Sequence, residues 1–159
     1  MKVLVAKEKR AGEKRVALDV VHHRLSEAGL EDLTCLVHDT KGDKKSFLAE
    51  LKRLTHENDA LLIFDEVVTL RLAYGGAQSL YGVMPDLTAM GKIIGGGFPV
   101  GAFGGRAEVM EQFDPARQRL HQGGTYNGNA ISMVAGEVAM DLLDEAEIRR
   151  LNNLGDRLR

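Results

Sequence analysis

The apolar positions along the chain fall into short runs separated by charged or glycine-rich turns, with two different periods. Val3-Leu4-Val5 is a strand-like run, followed by a charged turn over residues 7–15. Asp19 is placed to cap a helix that continues to Ala28 and ends at Gly29. A second short strand is expected over residues 33–37. The polar stretch 40–45 is the clearest seam in the sequence, and it separates residues 1–40 from a second unit, 46–159. Beyond it the period changes: Phe47, Leu48, Leu51 and Leu54 recur at helical spacing. That helix leads to Leu61-Leu62-Ile63-Phe64, a run of the kind that forms a strand buried on both faces. Residues 74–82 read as a glycine-rich connection, 85–90 as a short segment, 98–103 as a strand and 108–113 as a short helix. Ile131, Val134, Ala135, Val138 and Leu142 make one helical stripe, and Ile148, Leu151, Leu154 and Leu158 make another. The alternation of helices and strands predicts a three-layer α/β fold with a mostly parallel sheet.

Composition narrows the functional classes. The 159 residues are 44% hydrophobic and 28% charged, which is ordinary for a globular protein with a sizeable core. A net charge of −2 gives no reason to expect nucleic acid or an anionic membrane as a partner. No apolar run approaches the roughly 18 residues that span a bilayer. Lys2, Lys7 and Glu8 around the first apolar run do not resemble a secretion signal. One cysteine, Cys35, allows no internal disulfide and suits the cytoplasm. Cys35 and His38 supply two of the four ligands of a zinc site and nothing nearby completes it, so no metal is expected. His22, His23 and His121 read as surface or structural residues.

Two positions carry chemistry. Asp65 ends the 61–64 run, and open α/β sheets bind their ligands at the C-terminal ends of strands. Lys92 lies between Gly91 and Ile93-Ile94, with three glycines following. A lysine in apolar surroundings can lose its proton and form a Schiff base. An acid at a strand end and a lysine beside glycines together suggest a pyridoxal 5'-phosphate site. The plainer alternatives are a helix cap at Asp65 and a surface lysine at residue 92.

Four blocks decide between these readings: LLIFDEV, AYGGAQ, PDLTAMGKIIGGGFPVGAFGG and GGTYNGN. In this order and at about this spacing they resemble the large domain of class III (fold type I) pyridoxal-phosphate aminotransferases. The likeness is greatest to glutamate-1-semialdehyde 2,1-aminomutases and β-amino-acid transaminases. The resemblance implies that Lys92 carries the cofactor and moves protons, and that Asp65 pairs with the pyridinium nitrogen. It further implies that Val67 packs on the ring. Thr125, with Gly124 and Tyr126 as companions, would reach the cofactor phosphate of a neighbouring subunit, hence a homodimer. Residues 1–30 separately resemble the opening of alanine dehydrogenases and nicotinamide-nucleotide transhydrogenases. There Lys7, Glu8, Glu13, Arg15, Val16 and Ala17 match, and Arg15 would contact a keto-acid carboxylate. A solvated turn explains these residues equally, and no G-x-G-x-x-G follows a strand.

The sequence departs from the resembled family in ways that matter. Residues 1–46 hold no counterpart of the family's Gly-Ser/Thr phosphate loop or of the aromatic residue that stacks on the cofactor. The small C-terminal domain is not represented, and Ala130 stands where the family usually has proline. Three readings result. The first is a transaminase or aminomutase acting on a small amino acid, inactive if the chain is incomplete. The second is a non-catalytic α/β domain that keeps the motifs and works by self-association or through a partner. The third is a keto-acid protein built around Arg15.

Overall fold

The computed structural model describes residues 2–7, 33–36, 43–117, 120 and 122–159. The Arg15 motif, the helix expected after Asp19 and His38 lie outside them. Strands β1 (Lys2–Lys7), β2 (Leu33–Leu36), β3 (Ala60–Asp65), β4 (Leu87–Gly91) and β5 (Gly101–Gly105) form one sheet in the order β2-β1-β3-β4-β5. β2, β1, β3 and β4 run parallel, and β5 returns antiparallel beside β4. Helices α1 (Lys44–Glu57), α2 (Gly76–Tyr81), α3 (Ala107–Met110), α4 (Ala130–Leu142) and α5 (Glu145–Leu158) connect and cover the strands. The α/β class and the mostly parallel sheet expected from the alternation are present.

Local chemistry explains the element boundaries. Asp43, in the polar stretch 40–45, caps α1 by accepting from the Lys45 and Ser46 amides and from the Ser46 hydroxyl at 2.6 Å. The apolar face of α1 buries Phe47, Leu48 and Leu51, with Thr55 beside them, and packs on β3. Along β3, Ala60, Leu62 and Phe64 are buried while Leu61, Ile63 and Asp65 are half-buried. The run is therefore closed on one face and partly open on the other, not sealed on both. The strand expected at 98–103 begins only at Gly101. Pro99 has no amide hydrogen for a ladder, and Phe98 N instead closes a turn onto Gly95 O at 2.9 Å. The connection at 74–82 contains α2, which the glycines had concealed.

The two helical stripes have different fates. On α5, Ile148 is buried, whereas Leu154 and Leu158 are exposed. On α4, Ile131, Val134, Val138 and Leu142 all face outward, with Leu142 70% exposed. The buried residues of α4 are the small ones, Ser132 and Gly136. Smallness lets the backbones touch: a Cβ on Gly136 would lie 2.3 Å from Ile94 O, and one on Gly96 would lie 2.2 Å from Ala135 O. Ser132 Oγ adds a hydrogen bond to Pro99 O at 3.0 Å.

A buried carboxylate ties the layers together. Asp86, 1% exposed, accepts from Leu62 N at 2.8 Å, from Arg106 Nη1 at 3.0 Å and lies 3.0 Å from His56 Nε2. Those partners sit on β3, at the start of α3 and in the last turn of α1. Burial is the largest influence on this carboxyl and pushes it up. The Leu62 amide, Arg106 and His56 together outweigh burial and hold it below the usual carboxylate value. A depressed folded-state value gives stability that is present above the unfolded value, about 3.9, and lost as pH falls through the folded one. Asp86→Asn is therefore expected to lower the Tm at neutral pH. Thermal melts from pH 7 to pH 2.5 should show the gap to wild type closing below about pH 4; a constant gap would rule out this linkage.

Candidate active site

The parallel register of β3 and β4 sets Asp65 opposite Ala89. Adjacent strands lie about 4.8 Å apart, so the C-terminal ends of β3 and β4 form a shared rim. Asp65 leaves one strand there, and Lys92 follows the last residue of the other. Asp65 is half-buried and its Oδ1 accepts from Val67 N at 3.2 Å, which folds the chain back toward the rim. Lys92 takes a left-handed backbone conformation, φ 52°. Such a conformation strains a side-chain-bearing residue and collects at functional sites, where surrounding structure enforces it. Here the enforcement comes from the strand pair β4–β5, which ends at Gly91–Gly101, and from α4 pressed onto the 93–96 turn.

Lys92 is exposed, not enclosed by the apolar residues that flank it in sequence. It stands where two cavities meet. The larger, about 980 Å3, is walled by Phe98, Phe103, Met110, Phe113, Tyr126 and Met133, with the Phe103 and Phe113 rings edge to face at 4.9 Å. The smaller, about 700 Å3, is walled by Val67, Val68, Arg71, Ile93 and Phe98. Val67 thus shares a cavity with Lys92, and a Cβ on Gly91 would reach its Cγ1 at 3.4 Å. Gly124 and Thr125 are exposed on the loop before α4 and line neither cavity, although Tyr126, Asn127 and Gly128 line the larger. Asn129 caps α4 through the Ile131 and Ser132 amides. Among the described residues no cluster of His, Cys, Asp and Glu could hold a metal ion, and no helix is long and apolar enough to cross a membrane.

The residue between Asp65 and Val67 does separate work. Glu66 is 1% exposed and accepts from Thr69 Oγ1 at 2.6 Å and from the Ala77 and Gln78 amides, each at 2.8 Å. It thereby holds the turn at Thr69–Leu72 and the start of α2, and its charge complements the amide end of that helix. Gly76 is required beside it: φ is 78°, and a Cβ would come within 2.8 Å of both Glu66 oxygens. Nothing in the sequence pattern marked Glu66 or Arg71. Only the turn that brings residues 69–78 back over the strand end reveals them.

Comparison with known proteins agrees with this fold. The aminotransferase class-III family pattern matches residues 41–159, three-quarters of the chain. The chain belongs to the class-III aminotransferases. A glutamate-1-semialdehyde 2,1-aminomutase from Methanothrix thermoacetophila is 53% identical over 114 residues, covering 71% of this chain and 26% of that protein. An omega-transaminase from Sphaerobacter thermophilus superposes with a TM-score of 0.78 at 46% identity, covering 89% of this chain and 34% of its own. A transaminase with PLP bound superposes with a TM-score of 0.80 at 25% identity, covering 98% and 46% respectively. The chain thus spans about a quarter of the aminomutase and less than half of the transaminases. The class-III resemblance of the four sequence blocks is established.

The role of Glu66 can be measured. Glu66→Ala strands two amides and a hydroxyl in a partly buried place, and is expected to cost about 1–3 kcal/mol in urea unfolding. Glu66→Gln, which keeps one acceptor oxygen, should cost less. Equal and negligible losses would show that the carboxylate is not what holds the turn.

Proposed function

We propose that this chain carries the cofactor-binding core of a pyridoxal-phosphate-dependent aminotransferase or aminomutase acting on a small amino acid in the cytoplasm. The observation that carries this reading is Lys92, held in a left-handed conformation at the end of β4 beside the Asp65 end of β3. Class-III membership and the PLP-bound transaminase of the same fold support it. The donor set fits part of the cofactor: a primary amine for the aldehyde, a carboxylate for the pyridinium nitrogen, and Val67 for the ring face.

The chemistry such a cofactor supplies when bound is an electron sink for the bond broken at the substrate carbon. Lys92 Nζ would be the amine that holds the cofactor's aldehyde, and as a free amine it would take and return a proton at the substrate carbon. Asp65 would pair with the protonated ring nitrogen. Gly124 and Thr125 line neither of the two cavities beside Lys92, and in this reading they would serve the phosphate of a second copy in a homodimer. The exposed apolar stripe of α4 favours association. That stripe also favours the other reading, a non-catalytic domain that retains the motifs and self-associates.

Adding pyridoxal 5'-phosphate, reducing with borohydride and mapping the peptides separates the two. The expected result is a visible absorption band and a single pyridoxyl label on Lys92, both lost in Lys92→Ala. A label scattered over surface lysines would leave the non-catalytic reading standing.

A further inference from the structure

The smaller cavity beside Lys92 has a one-signed lining. Its walls are apolar, from Val67, Val68, Ile93 and Phe98, and its charged side chains are Arg71 and Lys92, with no acid among the lining residues. Arg71 makes no ion pair with any described residue. Arg53, Arg106, Arg117, Arg149 and Arg150 all pair with carboxylates of their own chain. The backbone carrying Arg71 is fixed at both ends. Leu70 N donates to Glu66 O at 3.1 Å, and Asn152 Nδ2 of α5 donates to Leu72 O at 3.0 Å. A cation on an anchored turn, at the edge of an apolar cleft and without a partner there, is preorganised for an anion from outside.

We infer that Arg71 receives the carboxylate of the substrate. The guanidinium fork matches a carboxylate in two parallel hydrogen bonds, and the Val68 and Phe98 walls take a carbon body behind it. The ligand class is an amino acid with one carboxylate and an aliphatic or arylalkyl chain, its amino group directed to Lys92. A phosphate is the poorer fit, because phosphate sites draw on several converging backbone amides and this wall is side-chain carbon. The amino-group half of the inference rests on the aminotransferase reading. The carboxylate half does not.

Titrating the cofactor-free full chain with 3-phenylpropanoate, followed by calorimetry, tests Arg71 without any cofactor chemistry. Wild type should bind the acid. Arg71→Gln should weaken binding at least about tenfold, and Arg71→Lys less, because it keeps the charge and loses the fork. The neutral amide of the same acid should not distinguish wild type from Arg71→Gln. Arg71 is exposed, so both variants should melt with wild type. No binding by wild type, equal binding by Arg71→Gln, or displacement by inorganic phosphate at matching concentration would each overturn the inference. Borohydride labelling of Lys92 is scored separately: if labelling fails while Arg71-dependent binding persists, only the cofactor reading falls.

Discussion

The parallel pairing of β3 with β4 is the constraint on which the rest depends. Parallel neighbours cannot be joined by a tight hairpin, so residues 66–86 must cross back over the sheet before β4 begins. The two ends of that crossover are both buried, and each is closed by a carboxylate. Glu66 stands at the exit and satisfies two amides of α2 and the Thr69 hydroxyl. Asp86 stands at the re-entry and satisfies the Leu62 amide and Arg106, with His56 alongside. A buried charge is tolerable only when it is fully hydrogen-bonded, and these two are.

The rim at the strand ends follows from this arrangement. With the crossover fixed at Glu66 and Asp86, Asp65 and Val67 are set on one strand end and Lys92 on the next. The antiparallel return of β5 and the close approach of α4 then hold the turn that follows Lys92. Glycine is needed at Gly96 and Gly136, where any side chain would strike backbone carbonyl oxygen. The same economy of small residues that presses one face of α4 onto the turn leaves its large apolar residues pointing outward.

The division of labour among neighbouring residues is sharp. Asp65, Glu66 and Val67 are consecutive, yet one reaches the rim, one anchors the crossover and one lines the cavity. The strand ends at Asp65 and the chain turns at Val67 and Val68, so the three side chains part where the backbone leaves the sheet. Arg71 joins the cavity because Glu66 and Asn152 hold its turn there.

The family was legible in the chain itself. The apolar run ending in Asp65, the lysine among glycines and the order of four blocks were enough to identify it, and the same blocks are what nominate Lys92, Asp65 and Val67 for the proposed site. Helix α1 and strands β1 to β3 were legible because short-range periodicity sets them, whereas β4 read only as a short segment. What only the tertiary structure decided was everything that depends on contact across the sheet. Glu66 and Asp86 are anchors because of which amides the crossover brings to them. Arg71 lines the cleft because its turn folds back over the strand end. The stripe on α4 lies outward because Ser132 and Gly136 allow a closer contact on the opposite face. Periodicity locates a helix and its apolar side, but which side is buried depends on what the rest of the chain offers it.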